Sequence, residues 1–212
     1  MKNNSLNINI DQANAFLRDK DPEEIIEWAL SKSKTPILTT NFGPYSASLV
    51  YAVTRLRNDI KLIWCDTGYN TRHTYRFAHE LIQSLSLNLH IYTPKSTAGF
   101  RDVTMGIPQV DTLEHKLFTD EVKLEPFRRA LKEHQPDLWF TNLRADQSEF
   151  RSNLDILHVD KTGILKVSPF FYYSEFDMEL YLQRFSLPNE KKYFDPTKVL
   201  AKRECGLHLT SK

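Results

Sequence analysis

Short apolar runs alternate with segments of helical spacing along much of this chain. PILTT (36–40), KLIWC (61–65) and NLHIYT (88–93) have the length and apolar character of buried strands. LWFTNL (138–143) predicts a fourth strand, and GILKVSPFF (163–171) contains another strand or an edge hairpin. Strands that alternate with helices form right-handed crossover units. The sequence therefore predicts an α/β fold, with an open, mostly parallel twisted sheet and helices on both faces.

Five segments have the periodicity of amphipathic helices. Asp21 is placed to cap the first of them and Pro22 suits its first turn, while Ser174 is placed to cap the last. The middle of the chain, 94–122, is less regular. After Pro188 the sequence is polar and interrupted by proline, which predicts a linker or mobile tail. The five helices are predicted at 21–33, 45–56, 74–85, 124–134 and 174–187.

Charge and hydropathy exclude several classes of partner. The formal net charge is +1, so no global field favours nucleic acid or an anionic membrane surface, and any anion site must be local. No apolar run approaches the length that spans a bilayer. The start of the chain lacks the apolar core of a signal peptide, so we expect a cytoplasmic protein.

The cysteine count limits metal and redox chemistry. Cys65 and Cys205 are the only two cysteines, and they form no CxxC pair. Two cysteines cannot hold a four-cysteine iron–sulfur cluster within one chain, and they make no structural zinc site without help, so no metal site is predicted. Cys65 ends an apolar run and is predicted to belong to the core.

Polar loops follow the predicted strands at their carboxyl ends, where ligands bind in open parallel sheets. TTNFGP (39–44) places hydroxyls, an amide and a glycine before a helix N-terminus, which favours an anion. A simple capped turn explains the same residues. DTGY (66–69) follows the second strand, where Asp66 would accept a hydrogen bond from a ribose or an amino group, or else form a helix-capping Asx turn.

Two arginines lie in the loop RADQSEFRSNL (144–154), after the fourth predicted strand. Arg144 ends that strand, and a helical turn would bring Arg151 to the same anion, since guanidinium groups suit phosphate or sulfate. The alternative is a solvated face in which acidic neighbours pair with both arginines. Lys123 adds positive charge from another part of the chain.

A cysteine near the C-terminus has unusual neighbours. KRECGLHL (202–209) places Cys205 beside Lys202, Arg203 and His208, where it would not serve an apolar core. Cations near a thiol favour the thiolate, which is the nucleophilic form. Cys205 is therefore predicted to be a reactive, exposed cysteine.

The chain resembles the thioredoxin-dependent phosphoadenylyl-sulfate (PAPS) reductase family in the order of its motifs. These are DTGY followed by TYRFAHEL, KLEPFRRAL, LRADQSEFRSNL, ILKVSPF and KRECGLH. The resemblance runs from about Thr35 to His208 and implies the adenine nucleotide α-hydrolase-like fold. It makes residues 1–188 a sulfonucleotide-binding domain and residues 189–212 a tail that carries the reactive cysteine.

The resemblance also implies a reaction. In the family the tail cysteine, here Cys205, attacks the sulfur of the sulfonucleotide, displaces adenosine 3′,5′-bisphosphate and becomes an S-sulfonate. Reduced thioredoxin, or glutaredoxin, then attacks that cysteine and sulfite departs. His208 would help Cys205 as the second catalytic residue. Thiol exchange carries the electrons, so no bound cofactor is expected, and a homodimer is an open alternative to a monomer.

The resemblance further implies a set of substrate-binding residues. The cysteine pairs that hold an iron–sulfur cluster in the adenylyl-sulfate branch are absent from this sequence, which favours the 3′-phosphorylated substrate. The implied substrate-binding residues are Thr39, Thr40, Asn41, Phe42, Gly43, Asp66, Thr67, Gly68, Lys123, Arg144, Gln147 and Arg151.

Departures from the family pattern keep two alternatives open. LPNEKKYFDPTKVLA (187–201) stands where family members carry His-Pro-Leu and Gly-Tyr elements that help close over the substrate. The chain would then be a divergent member that acts on another adenylylated or sulfonated substrate, or a non-catalytic protein that binds a nucleotide or thioredoxin. The intact motif around Cys205 argues against a mere binder, which has no need of an exposed thiol.

Overall fold

The computed structural model describes residue 6, residues 8–160 and residues 162–197. Within them, one sheet has six strands in the order β3-β2-β1-β4-β6-β5. Neighbouring strands are parallel except for β5 and β6, which form an antiparallel edge pair. The strands are β1 Pro36–Thr40, β2 Lys61–Cys65, β3 Leu89–Tyr92, β4 Leu138–Phe140, β5 Leu157–Val159 and β6 Leu165–Val167. The predicted open, mostly parallel sheet is confirmed.

The five predicted helices are present, with ends close to those predicted. A π-helical turn, Asp120–Leu124, leads into α7, and a 3-10 turn, Ala145–Gln147, precedes α8. The helices are α1 Ile10–Leu17, α2 Pro22–Lys32, α3 Ser46–Leu56, α4 Arg72–Leu85, α5 Ala98–Thr104, α6 Leu113–Thr119, α7 Glu125–His134, α8 Glu149–Ser152 and α9 Glu175–Arg184. Ser174 caps α9 as predicted, because its hydroxyl accepts a hydrogen bond from the backbone N–H of Asp177 at 3.2 Å.

Helices cover both faces of the sheet because alternate strand residues point to opposite sides. Leu38, Leu62 and Phe140 join a large core cluster with side chains of α2, α3 and α4. Ile37, Ile63 and Trp139, each one position away, join a second cluster with α7. Within the described residues, no helix is both long and apolar enough to cross a membrane.

The region 94–122 is more ordered than its sequence suggests. Most of it forms α5, α6 and the start of the π-helical turn. Phe100 and Val103 on α5, and Leu113 and Leu117 on α6, are exposed. These apolar residues do not face the core. The sequence of this region therefore lacks the spacing of apolar residues by which a helix that packs on the core is usually recognised.

The strand order creates a crevice beside β1. From β1 the chain passes through β2 to β3 at one edge, then returns to β4 on the other side of β1. Loops that leave β1 and β4 therefore diverge, and a space opens between them at the carboxyl ends of the strands.

The segment 189–197 corrects the prediction of a linker or mobile tail after Pro188. It has no helix or strand, as predicted, but it packs against the body of the protein. Asp195 and Thr197 are buried, and Asn189 accepts a hydrogen bond from the backbone N–H of Tyr45 at 2.9 Å. Polar residues pack here because they find polar partners, which hydropathy does not reveal. Residues 198–212, with Cys205 and His208, lie outside the described part of the chain.

Candidate active site

A cavity of about 340 Å³ opens at the crevice between β1 and β4. Its volume lies within the range of small-molecule sites. The structure brings together most of the predicted substrate-binding residues around it, although they come from three separate regions of the sequence. The predicted residues that line the cavity are Thr39, Thr40, Asn41, Lys123, Arg144, Gln147 and Arg151.

The loop after β1 uses its polar side chains to hold its own turn. The Thr40 hydroxyl accepts a hydrogen bond from the Phe42 backbone N–H at 2.9 Å, and the Asn41 side chain accepts one from the Gly43 backbone N–H at 3.0 Å. The capped-turn interpretation therefore describes these bonds correctly. Thr40 and Asn41 also line the cavity, so the two interpretations are compatible.

The side chain of Phe42 is not at the cavity. It is fully buried in the core, with its ring edge-on to Trp64 at 4.9 Å between centroids. The backbone of Phe42 has a φ of 51°, and this left-handed turn points the ring inward. Gly43 lies beside Tyr193, whose Cγ would be 3.1 Å from an added Cβ. Gly43 therefore allows the segment 189–197 to approach closely.

Two buried arginines line the cavity. Arg144 is 5% exposed and Arg151 is 8% exposed, so the alternative of a solvated face does not describe these two side chains. The Arg144 Nε lies 3.1 Å from an Asp146 oxygen, and the guanidinium lies 5.1 Å from the ring centroid of Tyr45. Arg151 donates a hydrogen bond to Gln147. Guanidinium groups held in this way, away from bulk water, are suited to an anionic ligand.

Lys123 supplies a third cation from the π-helical turn before α7. Its ammonium lies 2.5 Å from a carboxylate oxygen of Asp195, and both residues line the cavity. Burial works to raise the pKa of Asp195, but the charge of Lys123 and its hydrogen bond, with those from Thr197, hold that pKa below its ordinary value. The carboxylate is therefore ionised at neutral pH.

The loop after β2 uses its polar groups for bonds within the protein. Asp66 accepts hydrogen bonds from the Gly68 backbone N–H at 3.0 Å and from the Tyr75 hydroxyl at 2.9 Å. The carbonyl of Thr67 accepts one from Arg101 at 3.0 Å. Neither Asp66, Thr67 nor Gly68 lines the cavity. Their role in substrate binding stays a prediction.

Asp66 forms an Asx turn, as the alternative interpretation has it, but it does not cap a helix. Thr71 caps α4 instead, with its hydroxyl accepting a hydrogen bond from the Thr74 backbone N–H at 3.1 Å. The carboxylate of Asp66 serves the turn that carries it.

Cys65 packs against the second core cluster, as predicted, and it also lies at the cavity. It ends β2 and is partly buried. Burial raises the pKa of its thiol to about 12, although the charges of Lys123 and Arg129 act to lower it. Cys65 is therefore a neutral thiol at physiological pH and a poor nucleophile.

Three further residues at the cavity were missed by the sequence argument. Tyr45 precedes α3, Ser46 is its first residue, and Asn142 follows β4. The Ser46 hydroxyl and the Asn142 side-chain oxygen are buried and have no hydrogen-bond partner among the described residues. Buried polar atoms of this kind are suited to a bound ligand. The position of Asn142 at the carboxyl end of a strand is the signal that would have identified it.

Among the described residues, no group of three or more histidine, cysteine or acidic side chains is placed to hold a metal ion. The prediction of a catalytic pair at Cys205 and His208 lies outside the described residues.

Comparisons with known proteins agree on one family. The family model described as "Phosphoadenosine phosphosulfate reductase domain" matches residues 35–195. A phosphoadenosine 5′-phosphosulfate reductase of Vibrio atlanticus is 31% identical over 95% of this chain and 87% of its own. The protein of that name from Escherichia coli O9:H4 is 32% identical over 93% of this chain and 90% of its own.

Solved structures show the same fold. The phosphoadenylyl-sulfate reductase of Candida auris, solved as a phosphate complex, has a TM-score of 0.76 at 24% identity and covers 86% of this chain and 88% of its own. A U34-tRNA thiolase of Methanococcus maripaludis has a TM-score of 0.59 at 13% identity and covers 85% of this chain and 68% of its own. At these identities the two structures support the architecture alone.

Proposed function

Since the chain belongs to the phosphoadenosine phosphosulfate reductase family, we propose that it reduces 3′-phosphoadenylyl sulfate to sulfite and adenosine 3′,5′-bisphosphate. The observation that carries this proposal is the cationic cavity at the carboxyl ends of β1 and β4. Lys123, Arg144 and Arg151 reach it from three elements, although the net charge of the whole chain is only +1. Positive charge is thus concentrated at one site.

The cavity suits a nucleotide with more than one anionic group. Buried guanidinium groups bind phosphate or sulfonate more strongly than exposed ones, because little water screens the charges. The Ser46 hydroxyl and the Asn142 side-chain oxygen, which have no partner within the described part of the chain, offer hydrogen bonds to the uncharged part of the ligand. The 3′-phosphate distinguishes this substrate from adenylyl sulfate, and we assign it to the cations of the cavity.

We assign the nucleophile to Cys205. Its thiolate would attack the sulfonate sulfur, form a Cys205 S-sulfonate and release adenosine 3′,5′-bisphosphate. Cys65 does not suit this role, since the pKa of its thiol is raised to about 12. Lys202, Arg203 and His208 are the neighbours in sequence that would favour the thiolate of Cys205.

The electrons would come from a dithiol protein, thioredoxin or glutaredoxin. One of its thiolates attacks the Cys205 sulfur, sulfite leaves, and its second thiol resolves the mixed disulfide. This sequence needs no bound cofactor and no iron–sulfur cluster, so we expect neither. We place the reaction in the cytoplasm, where dithiol proteins are kept reduced.

The region before Cys205 supports a second candidate. The segment 189–197, which stands where the resemblance implies a longer one, contacts Tyr45 and Lys123, and its Asp195 lines the cavity. A chain altered here would act on a different adenylylated or sulfonated compound, or would bind a nucleotide without turning it over.

Sulfite release separates these candidates. The protein is incubated with PAPS and reduced thioredoxin, and in parallel with adenylyl sulfate, with Cys205→Ser as the inactive control. We expect sulfite from PAPS at a rate well above that from adenylyl sulfate, and none from the variant. Nucleotide binding without sulfite from either compound would favour the non-catalytic protein.

A further inference from the structure

The segment 189–197, called the strap below, contacts the cavity through its side chains. Three contacts involve a residue of the cavity or of the loop after β1: Asn189 with the backbone N–H of Tyr45, the ring of Tyr193 with Gly43, and Asp195 with Lys123. Two further contacts hold the strap elsewhere: the Pro196 carbonyl lies 3.3 Å from the His115 ring, and Lys191 lies 3.1 Å from Glu179.

Asp195 and Lys123 form the most buried of these contacts. Their charged atoms lie 2.5 Å apart, and the side chains are 5% and 10% exposed. The pair lies in the cavity wall and not behind it. Lys123, one of the three cations that an anionic ligand would use, is therefore paired with the carboxylate of Asp195.

The other bonds of Asp195 lie within the strap itself. One carboxylate oxygen accepts hydrogen bonds from the backbone N–H of Thr197 at 2.9 Å and from its hydroxyl at 2.6 Å. The other oxygen accepts one from Tyr193 at 3.4 Å. Asp195 would keep these bonds if the strap moved, and only the contact with the body would be lost. Lys123 also donates to the Thr197 hydroxyl at 3.4 Å, so both residues would leave Lys123 together.

We propose that Asp195 is an internal competitor of the substrate: its carboxylate holds Lys123 until an anionic group of the ligand replaces it and the strap withdraws from the cavity. This proposal rests on the proposed function for the identity of the ligand. Leaving a buried ammonium without a partner is costly, whereas exchanging one anion for another preserves the pair. Lys123 thus remains paired throughout.

The exchange has two consequences for the reaction. A ligand without an anionic group for Lys123 cannot displace Asp195, so the strap selects for charge as well as for shape. The strap also leads directly into residues 198–212, which carry Cys205. Arrival of the ligand would therefore release the segment that precedes the nucleophile.

Binding of adenosine 3′,5′-bisphosphate tests the competition. Calorimetric titration of the full chain compares wild type, Asp195→Asn, Lys123→Gln and the double variant. We expect Asp195→Asn to tighten binding about tenfold, a typical coupling between two sites, and to change it less than twofold when Lys123 is already Gln. Asp120 lies on the same π-helical turn as Lys123 and forms an exposed ion pair with Arg128 of α7. Asp120→Asn is therefore the matched control and should not change binding.

Cleavage of the strap gives a second measurement. Trypsin cuts after Lys191 and Lys192, and mass spectrometry follows these two sites with adenosine 3′,5′-bisphosphate or inorganic sulfate added. We expect either anion to accelerate cleavage of the wild type, and Asp195→Asn to be cleaved quickly without them. A merely structural Asp195 would make the variant labile, but the ligand would not accelerate cleavage of the wild type.

The outcomes separate the two proposals. Slower cleavage of the wild type with ligand, or weaker binding by Asp195→Asn, would overturn the competition even if the protein releases sulfite from PAPS. Accelerated cleavage in a protein that releases no sulfite would support the competition and reject the reductase. Absence of nucleotide binding in both wild type and Asp195→Asn would reject both proposals.

Discussion

The indole N–H of Trp139 donates a hydrogen bond of 2.7 Å to the hydroxyl of Thr39. Trp139 lies in β4 and Thr39 in β1, so the bond joins the two strands beside which the cavity opens. The indole is almost fully buried. The hydroxyl of Thr39 therefore already accepts a hydrogen bond within the protein. We expect its main contribution to be the link between β1 and β4 beside the cavity.

Replacing Thr39 by Val should lower stability more than affinity. The change keeps the shape of the side chain but removes the acceptor of a buried N–H, which typically costs about 1–3 kcal/mol of the free energy of unfolding. Thr39→Ser retains the hydroxyl and is the matched control. Urea denaturation measures the loss, and titration with adenosine 3′,5′-bisphosphate should change only a few-fold. A larger loss of affinity than of stability would mean that the hydroxyl contacts the ligand.

Adenosine 3′,5′-bisphosphate should bind more tightly than AMP. The cavity offers Lys123, Arg144 and Arg151 for a second phosphate, and charge-assisted hydrogen bonds are each worth about 1.5–3 kcal/mol. Calorimetric titration should show at least a tenfold preference, which Arg151→Gln should reduce. Arg128→Gln, at an exposed ion pair away from the cavity lining, is the control. Equal affinities for the two nucleotides would contradict the substrate assignment and leave the fold untouched.

Cys65 should react slowly with alkylating reagents in the native protein. Its thiol is partly buried and the pKa is raised to about 12 by burial, so very little thiolate exists at neutral pH. Timed alkylation and peptide mapping should show Cys205 modified first. Cys65→Ala should keep turnover within a few-fold of wild type. Loss of all activity in a folded Cys65→Ala protein would show that this thiol takes part in the reaction.

His158 should make the protein less stable in mild acid. Both ring nitrogens are buried without a partner among the described residues. Burial, aided by the charge of Lys166, lowers the pKa of His158 from 6.5 to about 4. Between about pH 6.5 and 4 the unfolded chain binds a proton at this residue that the folded chain does not. The free energy of unfolding should therefore decrease as the pH is lowered through this range. The contribution of His158 to that decrease is about 3 kcal/mol in total.

The pH dependence of urea denaturation tests this contribution. His158→Phe removes the titrating group, so its unfolding free energy should fall less between pH 7 and pH 4.5 than that of the wild type. The same substitution at the exposed His73 is the control. Parallel curves for wild type and His158→Phe would contradict the assignment.

Cys205 should capture the sulfonate when no reductant is present. Incubation with PAPS alone would stop the reaction after the first transfer, because the S-sulfonate awaits a second thiol. Intact-mass spectrometry should show one added sulfonate, mapped by digestion to Cys205, and reduced thioredoxin should remove it with release of sulfite. Cys205→Ser should bind the nucleotide and gain nothing. An adduct on Cys65, or none on a protein that binds well, would refute this assignment.

Local patterns predicted much of the sheet and its helices. The bounds predicted for β1 and β2 are those observed, because apolar runs bounded by turn residues are a property of the chain segment itself. Ser174 was identified as a cap for a similar reason, since its partner Asp177 is three residues away. The loops after β1 and β4 were placed at the cavity because carboxyl ends of neighbouring parallel strands share one edge of a sheet.

Only the tertiary structure decided which groups meet at the site. Lys123 and Asp195 are 72 residues apart, and Trp139 and Thr39 are 100 apart, so no local pattern joins them. The ring of Phe42 packs in the core, although the sequence placed this residue at the site. The polar strap contacts the cavity through Asp195, which pairs with Lys123. The spacing of apolar residues indicates whether a segment forms a helix or a strand with one apolar face. It does not report which distant partner offers a buried charge its counter-charge, because packing of the whole chain sets that distance.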